Sequence, residues 1–580
     1  MAHINLSKAH SAVEFKEFVG IDRSSTHLGE GSISDIVNFR VMPDGTLKKR
    51  SGFSQKLEVK PNLRAYYEIS DQNYLIIIGN RLYMLKTEDY SLTSLATLNT
   101  SNGNACFFCY DGRPFLLDGD QLYFYQDSAL YIAEGYAPLY GKNWHPINAG
   151  AVNEQVNLLS EHIRISYRVD QSSPELFTFN LPISSIDAVY IDGIRHAVSN
   201  FSLSENGYFA TANLSLESGS EVLFYLTLDS SASKRSSLTS CTGAAIYGSK
   251  EGGSRADVSS IFFYGGANKA KVFCTRRIAE DAFAKSNLIY PSSLNIYVSA
   301  HDALTLGDGT HGVTAACRRG NGLLVFTENE AYALTETSLS SSVALISSSA
   351  GCSSENCALP LKDSPVTVTH MGILKWSPSN YSESEYIAQS ISSPIDSLLS
   401  DEFHLNATAY LYRKYNEMWF ADRSSENGRV FIYNIVNDRW YCFEGIYATS
   451  FLEICGRPAF FDGKQLCIFE SSASYDEYTD GNVFIEARIE SSIINFGSFA
   501  DFKRLISLGV RASKGKGIHA IITDARGVQI PLSLSDASGE IYGYIEQRTV
   551  CPRSRYYSFT LISSEADADE IYGITLVTAD

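Results

Sequence analysis

A few stretches of the chain carry residue types at spacings that could do chemistry. Cys106-Phe-Phe-Cys109 has the spacing of a metal-binding or redox pair. Residues 515–520, Gly-Lys-Gly-Ile-His-Ala, fit the GxGxxA pattern of a dinucleotide-binding turn. Residues 475–481 (YDEYTDG) and 565–570 (EADADE) are acidic enough to attract calcium. Cys352 and Cys357 flank Ser-Ser-Glu-Asn and could pair in an oxidising setting.

Each meets an objection in its own surroundings. Positions three apart on a strand point to opposite faces, so Cys106 and Cys109 cannot share a metal there, and no second CxxC completes a zinc site. A dinucleotide turn needs a helix after it to meet the pyrophosphate, but residues 518–524 (IHAIITD) alternate as a strand does. Neither acidic stretch has EF-hand spacing, so both read as solvated loops. No nucleophile elbow, HExxH, Walker A or Ser-His-Asp signature stands out. The expectation is a chain without catalytic residues, bound cofactor or metal. Trp376 and Trp440 could stack sugars, but packing inside a sheet is the expected role.

The elements that would position any site are strands. The 580 residues include 35 Tyr and 31 Phe but few Met or Trp, a balance that favours strands over helices. Turn-type clusters recur every ten residues or so. The net charge of −18 disfavours a DNA-reading surface but suits a wall past which DNA slides without sticking. The start lacks the apolar core of a secretory signal, and no apolar run is long enough to span a membrane. Eleven scattered Cys, several inside apolar runs (Cys106, Cys274, Cys467), read as buried reduced thiols of a protein made in a cytoplasm.

Two segments repeat one pattern. GRPFLLDGDQLYFY begins at Gly112 and GRPAFFDGKQLCIF at Gly456. Gly112, Arg113, Pro114, Asp118 and Gly119 correspond to Gly456, Arg457, Pro458, Asp462 and Gly463. About seven units of this kind follow one another, each a run of short two-faced strands with tight turns, as in residues 260–276, 313–336, 366–379 and 407–445. A small sheet with two apolar faces must be covered on both, and stacking around an axis achieves this: a β-propeller. The repeat then marks the same strand pair in two blades.

Two regions depart from this rhythm. Residues 150–235 alternate apolar and polar positions, as an inserted β-sandwich or barrel would. Residues 481–580 suit a C-terminal β-sandwich. The expected organisation is 1–55, a mostly loop-like segment entering the propeller; 56–149, first blades; 150–235, insert; 236–480, remaining blades; 481–580, C-terminal domain. A short helix is expected over residues 278–285.

Residues 18–53 (FVGIDRSSTHLGEGSISDIVNFRVMPDGTLKKRSGF) resemble the opening of phage tail-nozzle and packaged-DNA-stabilisation proteins. The matching positions are Gly20, Ile21, Asp22, Asn38, Asp44, Gly45, Leu47, Arg50 and Gly52. Residues 321–336, Gly351-Cys352, 429–445 and the stretch FGSFADFKRLISLGVRAS are similar to later motifs of that family. The resemblance implies a non-enzymatic structural protein of the virion tail, made in the host cytoplasm. Its copies, commonly six, would form a ring below portal and adaptor proteins. That ring would retain packaged double-stranded DNA, form its ejection channel and bind fibres or a needle. The competing expectation is a β-propeller that binds or hydrolyses glycans.

Overall fold

The computed structural model describes residues 10–23, 32–60, 63–169, 176–247, 260–319, 322–336, 341–361, 364–379, 385–470, 479–480, 483–513, 518–534, 542–563 and 570–579. The fold is all-β: a propeller with an inserted β-domain and a C-terminal β-sandwich. The described residues form seven blades of four antiparallel strands each. Blades 1 to 6 begin at Leu63, Cys106, Gly243, Val313, Ala358 and Ala407. Blade 7 takes three strands from the late chain (Ser450–Ile454, Arg457–Phe461, Gln465–Phe469). Its fourth, Phe53–Glu58, comes from near the start. That pairing closes the ring with hydrogen bonds instead of leaving two blades merely in contact.

Strand alternation explains the stacking. In the strand Asn73–Ile78 of blade 1, Tyr74 and Ile76 pack with Leu452 and Ile454 of blade 7, whereas Leu75 and Ile77 pack with Leu116 and Tyr123 of blade 2. In blade 3, Ile261 and Phe263 face blade 2, while Phe262 faces Leu323 and Val325 of blade 4. Period-two strands with both faces apolar thus supply both blade interfaces.

The repeated pattern occupies the same place in blades 2 and 7. Asp111-Gly112 and Cys455-Gly456 both turn with two successive positive φ values, 52° and 71° against 51° and 69°. Such a turn matches the twist of paired strands. At the next turn the carboxylates of Asp118 and Asp462 each accept two backbone N–H groups, from Asp120 and Gln121 and from Lys464 and Gln465. Gly119 and Gly463 follow at φ 88° and 93°. Pro114 and Pro458 stand opposite Cys109 and Glu453 on the first strands.

The insert runs from Leu139 to Leu228, beginning earlier than position 150 because the strand Leu139–Trp144 pairs in parallel with His162–Arg168. Its five-stranded and three-stranded sheets enclose Tyr167, Phe177, Phe201 and Phe224. Arg235 and Asn157 fasten it to the propeller through the carbonyls of Leu159 and Ala133 and of Tyr136 and Ile296. The helix lies at Glu280–Asn287.

Among the described residues, the first 55 carry more strand than the sequence suggests. They supply the strands His10–Phe15, Ile33–Val37, Phe39–Val41 and Leu47–Lys49, besides the start of the strand that closes blade 7. Three of the four join one sheet of the C-terminal sandwich, where Phe15 meets Phe559 at 5.4 Å between ring centroids. Ile33–Val37 joins the other, and a parallel bridge from Val37 to Cys442 continues that sheet into blade 6 as nine strands. Sandwich and propeller therefore share one hydrophobic core.

The closing strand gives a direct test. Phe53 packs edge-on against Phe460 at 4.9 Å and lies 5.9 Å from Phe469. Phe53→Ala is expected to destabilise the chain by roughly 2–3 kcal/mol, a discount on the usual buried Phe→Ala loss because the ring is only half-buried. Urea unfolding would check this.

Candidate functional site

The matched N-terminal positions divide between a turn and a joint. Asp44 and Gly45 make the turn: the Asp44 carboxylate accepts the backbone N–H and hydroxyl of Thr46, which holds its pKa below the ordinary range. Gly45, at φ 80°, lies where a Cβ would press on Glu17 at 3.0 Å. Gly20, at φ 93°, runs so close to blade 6 that a Cβ would stand 2.8 Å from the Trp440 carbonyl. The Ile21 N–H donates to that carbonyl at 2.7 Å, and the Asp22 N–H donates to Ile33. The Gly52 carbonyl accepts the N–H of Glu470 at the closing strand.

Asn38 and Arg50 form the centre of the joint. Asn38 adopts the left-handed conformation, φ 58°, which asparagine tolerates better than most residues. Its side-chain oxygen accepts Arg50 Nε at 2.8 Å and the Glu444 N–H at 2.9 Å, and its amide donates to the Glu486 carbonyl at 2.7 Å. The Arg50 side chain, 1% exposed, donates in a fork to both Asp480 oxygens at 2.9 and 2.5 Å. It also donates to the carbonyls of Ser51 and Glu444. One guanidinium thereby joins the N-terminal segment, blade 6 and the strand leading to the C-terminal domain.

Further charges extend the joint. Arg429 pairs with Asp35 and Glu444, and Arg488 approaches the same two carboxylates at 3.8 and 3.9 Å. With Arg50 and Asp480, and with Glu490 at 3.0 Å from Arg488, this makes three guanidiniums and four carboxylates. Beside it the fully buried Glu417 accepts from Arg40 Nε at 2.5 Å, Trp419 Nε1 at 2.8 Å and the Tyr441 hydroxyl at 2.6 Å. Burial pushes the Tyr441 hydroxyl well up from its ordinary value.

Asp480 belongs to the acidic stretch 475–481, which reads in sequence as a solvated loop. It is instead the partner of Arg50, 430 residues away. Asp35, Arg40, Arg429 and Glu444 lie within residues 18–53 and 429–445, and Glu417 and Arg488 outside them; their pairings across the joint are distant in sequence, so the sequence singles none of them out.

The propeller axis holds an opening of about 720 Å³ bordered by blades 1, 2, 5, 6 and 7. Glu355, from the turn before blade 5, reaches the opposite side, accepting from Thr242 Oγ1 at 2.6 Å and Asn104 Nδ2 at 2.7 Å.

Among the described residues no three His, Cys, Asp or Glu side chains are grouped to hold a metal, and no helix is long and apolar enough to cross a membrane. Residues 514–517 and 564–569, with most of 471–482, lie outside the described residues. Ile518–Asp524 is a strand. Trp376 and Trp440 are buried in blades 5 and 6, donating to Thr367 Oγ1 and the Ile391 carbonyl.

All eleven Cys are free thiols, Cys352 and Cys357 included. Burial pushes Cys106 and Cys357 up to about 11, and Cys241, Cys317 and Cys467 up to about 12.

No family model and no curated protein matches this chain. Among solved structures, the WD40 domain of SCAP from fission yeast aligns at 8% identity and TM-score 0.29, covering 72% of this chain and 97% of its own. BBS1N in complex with ARL6DN, soaked with mercury, aligns at 10% identity and TM-score 0.24, covering 73% and 99%. Such scores carry no functional inference. The propeller rests on its own strand pairing.

Arg50→Ala is expected to destabilise the protein by about 3–5 kcal/mol, because it strands the Asp480 carboxylate in a largely buried site. Arg50→Lys should recover less than half of that, since an ammonium cannot make the planar fork. Urea unfolding of the variants measures both. In the native state at pH 8, a thiol reagent should label Cys109 and Cys455, the exposed pair, rapidly, with the other nine appearing on denaturation. Mass spectrometry of labelled peptides would show it.

Proposed function

We propose that the protein is the tail nozzle of a short-tailed phage, a structural virion component without catalytic activity. Several copies, six on the pattern of the family it resembles, form a ring below the portal and adaptor. The ring holds packaged DNA in place and forms its exit, and fibre or needle proteins attach around it. The observation that carries this reading is the position of the nozzle-like N-terminal residues. Gly20, Asn38, Arg50 and Gly52 meet where the propeller, its closing strand and the C-terminal sandwich are locked together. The resemblance therefore falls on the part of the chain that sets its shape, where a family of shared architecture needs the same residues.

In this reading DNA runs between copies of the protein, not through one propeller. An axial opening of about 720 Å³, spanned by Glu355, has the volume of a small-molecule pocket. A duplex whose major groove alone is about 12 Å wide cannot thread it. The conduit lies between copies, and a chain of net charge −18 gives it a wall that repels phosphate.

Gold-labelled antibody against the protein, applied to particles of the source culture, tests the proposal. Label at a single vertex of DNA-filled capsids is expected. Unlabelled particles, with the protein free in cytosol or medium, would overturn it.

A further inference from the structure

Just past the end of the repeated pattern, the two copies differ at the position that faces the arginine. In blade 7, Arg457 lies 3.6 Å from Glu470, fourteen positions after Gly456, and within 3.5 Å of the Tyr90 hydroxyl. In blade 2 the equivalent arginine is Arg113, and the position equivalent to Glu470 is Gln126. The Gln126 amide turns away to donate to Asp127 at 3.1 Å. Arg113 has no carboxylate or hydrogen-bond acceptor among the described residues; its guanidinium rests over the Phe124 ring at 5.8 Å. The same backbone thus presents one arginine with its acid and one without.

The unpaired guanidinium borders a cleft of about 550 Å³ between blade 2 and the segment around the helix Glu280–Asn287. Blade 2 lines it with Tyr110, Phe124 and Tyr131, and the opposite wall adds Phe283. Tyr131 stacks on Phe124 at 5.4 Å with an interplanar angle of 23° and remains 47% exposed. A second cation in the cleft, Arg277, is already engaged by Asp111 at 3.3 Å and by the Tyr110 hydroxyl at 3.3 Å. Glu280 is exposed at the rim.

We infer that this cleft binds an acidic sugar unit, a uronic or sialic acid, whose carboxylate takes the place at Arg113 that Glu470 fills at Arg457. The walls favour this chemistry over the alternatives. Arg113 and Arg277 are balanced by Asp111 and Glu280, so a polyanion such as nucleic acid would meet two carboxylates. A single carboxylate satisfies the one open guanidinium. The rim carboxylates accept sugar hydroxyls, and the exposed Tyr131 ring offers a surface for the C–H face of a pyranose. The inference holds whether or not the protein is a tail nozzle.

Titration calorimetry of the full chain with digalacturonate and with 3′-sialyllactose tests it, with lactose as the neutral comparison. One or both acidic sugars should bind, and lactose should bind at least tenfold more weakly. Arg113→Ala should weaken acidic-sugar binding about tenfold or more, the effect of losing one charge-assisted hydrogen bond. Gln126→Glu, which rebuilds the pair of blade 7, should weaken it similarly while the melting temperature stays level or rises. Three results would each overturn the inference: no binding of either acidic sugar, undiminished binding by Gln126→Glu, or Arg113-dependent binding of a glutamate-rich peptide with none of the sugars.

Discussion

The shape of this protein depends on keeping the Arg50 guanidinium charged in a place where water scarcely reaches. An unpaired charge there is untenable, so every donor must find an acceptor. The acceptors come from Asn38, Ser51, Glu444 and Asp480, which belong to parts of the chain separated by hundreds of residues. Satisfying one side chain therefore fixes the relative placement of the N-terminal segment, blade 6 and the C-terminal sandwich. The nine-stranded sheet and the closing strand of blade 7 lie on either side of that point. Apolar packing drives the parts together without specifying their angle; the forked ion pair and the left-handed Asn38 supply the specification.

The ring carries its additions asymmetrically. The insert leaves between blades 2 and 3 and is fastened by Arg235 and Asn157, whereas the sandwich grows from the outer edge of blade 6. Extending the blade 6 sheet also covers an outer strand that would otherwise offer unpaired N–H and C=O groups. Blade 7 has its outer edge filled by the closing strand.

What could be read in the sequence followed from local rules. Two-faced strands such as residues 73–78 and 260–264 announce blades because both alternations are apolar, and Asp-Gly turns at 118–119 and 462–463 fix the same hairpin twice. The first 55 residues read as loop because their strands are three to six residues long and interrupted by charge, and apart from the hairpin of Phe39–Val41 with Leu47–Lys49 their partners lie hundreds of residues away. No window of sequence contains both halves of such a pairing. Asp480 was hidden for the same reason: an acidic stretch looks solvated until the guanidinium that neutralises it is found. The start of the insert at Leu139 escaped because the strand Leu139–Trp144 pairs in parallel and carries Gly, Lys and Asn among its few residues. Arg113 and Arg457 look identical in the pattern, and only the position after its end distinguishes them.

The pairing of His10–Phe15 with residues 574–579 has a bearing on how the chain is made. The strand His10–Phe15 has no partner until residues 574–579 are added, and Phe53–Glu58 waits for Gln465–Phe469. At the usual 5–20 residues per second, His10–Phe15 remains unpaired for roughly half a minute to two minutes. Blades 1 to 6 can assemble meanwhile from neighbouring segments, but the ring cannot close. A polypeptide that stops before Gln465 lacks the strand that seals its propeller, and one that stops before Asp480 lacks the carboxylate that Arg50 needs. Pairing strands this far apart in sequence makes residues 574–579 a condition of completing the fold.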